Sequence, residues 1–173
     1  MNETLRTMES RRSIRSYKPD PIPDDILREI LQAGLNAPSG RNCQSPIIIV
    51  ITDTSMRRKI AEENAKIMGR PSSFDPFYGA PAILLVAALP APTAVYDGTC
   101  TIMNLMNAAW SLGIGSCWIH RAKEELESPF GKDLLQSLGL PNDCIGIGHV
   151  ALGYPSGTCP EAKGKNAGRI YRI

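Results

Sequence analysis

Apolar positions along this chain fall into blocks whose period changes, and the blocks predict helices alternating with strands. Residues 23–34 carry Ile26, Leu27, Ile30 and Leu31 at helical spacing behind Pro23, Asp24 and Asp25, which suit a first helical turn; Gly34 marks the end. Pro46-Ile47-Ile48-Ile49-Val50-Ile51 is continuous and β-branched, the pattern of a strand buried on both faces. Thr54 is placed to cap a helix reaching about Met68, and residues 82–89 form a second apolar strand. Residues 96–112 are apolar nearly all round, which puts this helix in a core or against another subunit. A short strand follows at 114–119, a helix from Ser128-Pro129 to Gly139, and a strand at 144–152. Near the start, Thr4 is placed to cap a short helix running into Arg11-Arg12, and Lys18-Pro19-Asp20-Pro21 is an extended connector. Residues 69–78 predict an exposed, mobile loop. Residues 153–173 have no helical period, yet Ile170-Tyr171-Arg172-Ile173 alternates like a strand. With no hairpin partner nearby, that strand points to pairing on another chain.

Composition narrows the class. A length of 173 residues predicts a single domain, and the 43% hydrophobic and 21% charged fractions are ordinary for a globular one. A net charge of +2 is too near zero to argue for a nucleic-acid surface. The basic residues are uneven, gathering at Arg11, Arg12 and Arg15 and again at 163–172, so the two ends form one anion site if they meet. Five cysteines, odd in number and without a C-x-x-C pair, argue against zinc or a disulfide framework and for a reducing compartment. The start is polar and charged, unlike a secretory signal, and the apolar run at 80–88 is far short of a membrane span. The expectation is a cytoplasmic protein with no membrane, nucleic-acid or metal partner.

Two stretches carry most of the chemistry. Arg11-Arg12-Ser13-Ile14-Arg15-Ser16-Tyr17 offers guanidiniums that bind phosphate bidentately, with hydroxyls between them. By itself it also suits a solvated basic helix end. Ala37-Pro38-Ser39-Gly40-Arg41-Asn42-Cys43-Gln44 presents amide donors and acceptors that complement a pyrimidinedione edge, though these residues are also those of an ordinary turn. Gly113–Ile119, leading into His120 and Arg121, has small residues that let backbone approach a flat ring. Lys163, Lys165 and Arg169 can close on the same phosphate or remain a solvated tail. His120 reads as a loop residue, His149 as a core histidine, and Cys43 and Cys117 as thiols rather than nucleophiles. The run Gly146-Ile147-Gly148 lies inside a strand and opens no helix, so it is no dinucleotide fingerprint.

Taken in order, these stretches resemble the FMN-dependent nitroreductase-like family over essentially the whole chain. The resemblance implies an α+β fold: a mixed, mostly antiparallel sheet flanked by helices, in an obligate homodimer whose C-terminal strand is exchanged. It implies that Arg11, Arg12, Ser13 and Arg15 hold phosphate, ribityl chain and ring edge. Pro38, Ser39, Gly40 and Asn42 come from the other subunit. Ile119, His120 and Arg121 lie near the flavin N5 through backbone, and Lys165 and Arg169 return to the phosphate. Residues 153–173 wrap the partner. The implied activity is NAD(P)H-driven reduction of bound FMN, then of a nitroaromatic, quinone or related acceptor, in ping-pong order. No side chain is assigned as acid, base or nucleophile, because the cofactor carries the chemistry. Phe74, Phe77 and Tyr78 are the candidates for an aromatic lid over the substrate. Two other readings accompany this one: a non-catalytic flavin carrier, and a specialised member such as a reductive dehalogenase. The chain departs from many members at Gln44-Ser45-Pro46, where Pro-Trp is usual, and Ser73 is a poor candidate for the polar side chain many place before the second strand.

Overall fold

A computed structural model describes all 173 residues. Four strands, β1 (Pro46–Ile51), β2 (Ala82–Ala88), β3 (Gly115–Ile119) and β4 (Ile145–Gly153), form one sheet in the order β1-β2-β4-β3. Every neighbouring pair is antiparallel, and the only parallel element is a single bridge between Ser13 and Ser116. Six helices surround it: α1 (Glu3–Ser10), α2 (Asp24–Leu35), α3 (Thr54–Ile67), α4 (Ala94–Ser111), α5 (Ala122–Glu127) and α6 (Pro129–Ser137). This is the α+β architecture expected, one antiparallel sheet flanked by helices.

The strand pleat explains the two layers. Ala82, Leu84, Val86 and Ala88 turn to one face and pack on Leu27 and Ile30 of α2 and on Ile102, Leu105 and Ala109 of α4. Ile83, Leu85 and Ala87 turn to the other and meet Ile60 of α3, Leu126 of α5 and Leu135 of α6. Each fully buried Leu or Ile contributes about 1.5–3 kcal/mol. β2 is buried along its whole length, as a continuous apolar run requires. β1 is not: Val50 is 39% exposed, because this strand lies at the sheet edge and is not covered on both faces.

Local chemistry moves several boundaries. Asn2, not Thr4, caps α1 by accepting from the Leu5 amide, and Asp53, not Thr54, caps α3 by accepting from the Met56 amide. Gly34 does not end α2; it lies inside the helix where a side chain would strike Leu105, so α2 and α4 cross closely there. α5 is an additional helix. The register slips opposite Val86 and Ala87, and Gly146 sits so near the Ala122 backbone that any side chain would collide. The glycines of β4 are thus packing residues. The 69–78 segment is not a free loop. Asp75 accepts from the amides of Phe77 and Gly79, and Phe77 is 1% exposed. Residues 156–173 are exposed, and Ile170–Ile173 pairs with no strand of its own chain. No helix is long and apolar enough to cross a membrane.

Candidate active site

Arg11 closes α1, its amide donating to the Thr7 carbonyl, and the chain then runs extended beside β3. The Ile14 amide donates to the Ser116 carbonyl at 3.0 Å, and the Lys18 amide donates to that of Tyr154 at 2.9 Å. An extended backbone alternates its side chains. Ile14 is buried against Gly115, so Arg11, Ser13, Arg15 and Tyr17 share the opposite side. The surroundings of Cys117 agree. Burial pushes its thiol up, while the Arg15 and Arg11 guanidiniums and a hydrogen bond from Ser13 oppose that rise. Burial likewise drives the Tyr17 phenol far above its ordinary range, with Cys117 and Tyr78 adding to it and Arg15 opposing. That phenol is shared between the carbonyls of Ile14 at 2.7 Å and Ala151 at 3.2 Å. It therefore keeps its proton and is a donor, not a base. Arg12 turns elsewhere, its Nη1 donating to the Glu9 and Arg11 carbonyls at the end of α1. Only two of the three guanidiniums share the wall.

Arg11 Nη1 on this wall is buried without a partner in the chain, as are Ser116 Oγ of β3 and Arg121 Nε just beyond it. Buried polar atoms are normally paired. A phosphate ester on a polyhydroxyl chain offers the acceptors and hydroxyls that a guanidinium pair and serines would bind. Arg121 adopts the left-handed region (φ 79°) as it caps α5, so the backbone at 119–121 turns sharply at the end of β3. Ile119 is buried and His120 exposed.

The second motif forms a one-turn 3-10 helix, Gly40–Asn42, after α2. Arg41, Asn42 and Gln44 all have positive φ (53°, 56° and 49°), a conformation costing roughly 1–2 kcal/mol per non-glycine residue. The Gln44 amide donates to Ser39 Oγ at 3.0 Å, and Gln44 Nε2 donates to Asn42 Oδ1. No hydrogen bond or ion pair joins this loop to Arg11–Tyr17 within one chain.

Residues 8–154 match the model of the nitroreductase family. The chain belongs to that family. A nitroreductase of Bacteroides fragilis, solved with bound FMN, superposes with a TM-score of 0.92 at 33% identity, all of each chain being covered. A candidate NADH dehydrogenase/NAD(P)H nitroreductase of Archaeoglobus fulgidus is 33% identical over 90% of this chain and 87% of its own. An NADPH-flavin oxidoreductase of Vibrio harveyi is 27% identical over 94% and 70% respectively.

Not every expected nitroreductase feature converges. Lys165 and Arg169 are exposed and make no ion pair within the chain. Phe77 is no lid; it packs edge-on to His149, ring centroids 5.2 Å apart, beneath the sheet. Phe74 is half-buried under the Arg70 guanidinium. Tyr78 is 38% exposed, with φ 59°, and is the lid candidate that lies near Tyr17. A cavity of about 460 Å³ beside α3 is lined by Arg57, Arg58, Glu62 and Phe74 and lies away from the arginine wall.

Two buried acids escaped the sequence reading. Asp97 of α4 is 5% exposed and accepts from the Gly40 amide (3.0 Å), the Thr93 hydroxyl (2.9 Å), the Ser45 hydroxyl (3.4 Å) and the Cys43 thiol (3.5 Å). Its signal was legible, since it is the lone charged residue of α4. Burial pushes its carboxyl up, but these four donors outweigh that and hold it below the usual value. Glu125 of α5 is fully buried, accepts from Asn64 Nδ2 and lies 3.1 Å from His149 Nε2.

Proposed function

We propose that this protein is an FMN-dependent NAD(P)H oxidoreductase working as a homodimer. The observation that carries the reading is the buried, unpartnered Arg11 Nη1 on the wall shared with Ser13 and Arg15. Arg11 would hold the phosphate, Ser13 would bond the ribityl chain, and Arg15 would lie at the ring edge. The turn at Ile119, His120 and Arg121 presents backbone to the N5 side. FMN held there would supply the redox chemistry for an NAD(P)H-driven, ping-pong reduction of a nitroaromatic, quinone or related acceptor. Tyr17 holds its proton and fixes the backbone at Ile14 and Ala151 under the site.

The other elements complete the site across a dimer. α1 buries none of its residues and leaves Leu5 and Met8 more than half exposed. Tyr96, Cys100 and Met103 form an exposed stripe on α4 at helical spacing. Trp110 Nε1 donates to Ser10 Oγ at 2.9 Å and holds the two helices together. A second copy seated on this face brings Pro38, Ser39, Gly40 and Asn42 to the flavin. Residues 153–156 stay on their own sheet, bonded to Gly115, Lys18 and Ser16, so only the tail from 157 onward crosses to the partner, where Lys165 and Arg169 reach the phosphate and the Ile170–Ile173 strand extends the sheet. The protein works in the cytoplasm.

An absorbance spectrum of the purified protein tests this. Flavin bands that bleach within seconds of anaerobic NADH or NADPH addition are expected. Protein that neither carries flavin nor takes up added FMN overturns the reading; flavin that binds without bleaching favours a carrier.

A further inference from the structure

Asp97 is hydrogen-bonded through both carboxyl oxygens: Oδ1 accepts from the Gly40 amide, and Oδ2 accepts from Thr93, Ser45 and Cys43. Three of the four belong to the segment 40–45, so one side chain of α4 fixes the loop at both ends. The contact is close: a side chain on Gly40 would collide with Thr93. The loop it fixes is strained, with three non-glycine residues at positive φ, and such backbone persists only where its surroundings over-determine it. The residues held this way, 41–44, are exposed and make no bond to the arginine wall of their own chain. Tyr96 and Cys100, flanking Asp97 on α4, belong to the exposed stripe.

We propose that Asp97 is a positioning residue that presets the loop 39–45 for the flavin site of the partner subunit. It touches no reacting atom and acts through the Gly40 amide, Ser45 and Cys43. The inference rests on the FMN-dimer reading and goes beyond it by assigning a residue and a direction of action across the interface. Asp97→Asn keeps the volume but removes the charge and one of the two acceptor oxygens. Its NH2 then faces either the Gly40 amide, which only donates, or the Thr93, Ser45 and Cys43 cluster, which must reorient to accept, and the hold on the loop is weakened.

The test titrates FMN into purified apo-dimer and records the visible circular dichroism of the bound flavin. Asp97→Asn is expected to weaken FMN binding at least tenfold and to change the flavin dichroism. Ser45→Ala is expected to do the same more weakly and covers the case in which Asp97→Asn fails to fold. Ile60→Ala, a core truncation on α3 away from the loop, is expected to lower the melting temperature without moving either readout. Wild-type affinity and dichroism in Asp97→Asn overturn the proposal, whereas a wild-type protein that binds no FMN overturns the site reading itself.

The direction of action has its own measurement. Co-expressing Asp97→Asn with Arg11→Ala chains puts both defects in one site of each heterodimer and neither in the other. Tight FMN sites should then reappear at about one quarter of the total, since about half of randomly paired dimers are mixed. No recovered tight sites means that Asp97 serves its own subunit, which overturns the cross-interface part.

Discussion

Asp97 and Glu125 are both buried carboxylates, and their settings differ in every other respect. Asp97 lies at the edge of the α2–α4 layer, and every one of its donors is local to α4 or to the loop it anchors. Glu125 lies beneath the other face of the sheet, where α3, α5 and β4 meet. Its Oε2 lies close to Asn64 and His149, while Oε1, Asn64 Oδ1 and both His149 ring nitrogens make no hydrogen bond. Asp97 shapes an exposed loop, the one proposed to reach the partner's flavin; Glu125 joins three elements in the interior. Buried acidic side chains therefore have two uses here, and only the first belongs to the proposed site.

The largest effect expected from this contrast is on stability. Glu125→Ala opens a cavity beside His149 and leaves Asn64 Nδ2 only the Ile60 carbonyl, and should destabilise the fold by about 2–5 kcal/mol, read from urea unfolding. Replacing Glu125 and His149 together by leucine should cost much less than the two single changes summed. A loss under about 1 kcal/mol in Glu125→Ala would remove the contrast.

Acid unfolding sharpens the other side. The Asp97 carboxyl is held below its ordinary value of 3.8, so the folded state binds its proton less readily than the unfolded chain does. Its contribution is complete above that value and is lost as pH falls through the lower folded one. Melting temperatures followed from about pH 5 downward should fall less steeply in Asp97→Asn than in wild type. Parallel acid limbs would mean that the carboxylate is not tuned by its four donors.

The smallest effect sets the baseline. Arg58 and Glu62 pair at 2.8 Å on α3 with side chains 81% and 40% exposed. Arg58→Ala should change stability by no more than about 0.5 kcal/mol, because an exposed pair is already well solvated. A larger loss would show that charge on α3 matters as much as charge beneath the sheet.

Much of this was legible in the residues. The apolar run of β2 and the all-round apolar α4 can only be interior elements, and Arg11-x-Ser13-x-Arg15 carries its two-residue period openly. Other features were hidden for physical reasons. Adjacent Asp53 and Thr54 are both good caps, so spacing does not choose between them. α5 is six residues long, and Lys123-Glu124-Glu125 looks solvated although Glu125 is fully buried. The role of Asp97 depends on contacts 52–57 residues away in sequence, which no local pattern encodes. The strand at 170–173 has an alternation but no ladder in its own chain.

The attachment of α1 has a consequence for the order of events in biogenesis. Eight residues with none buried are too few for a helix that persists by itself in water. In a lone protomer this turn of chain is tethered to α4 chiefly through Trp110, and its amides should exchange with solvent faster than those of any other helix. In the proposed dimer, the exposed face of this helix is covered only once a second copy packs on it, so that reading predicts that newly made protein pairs first and loads its cofactor second.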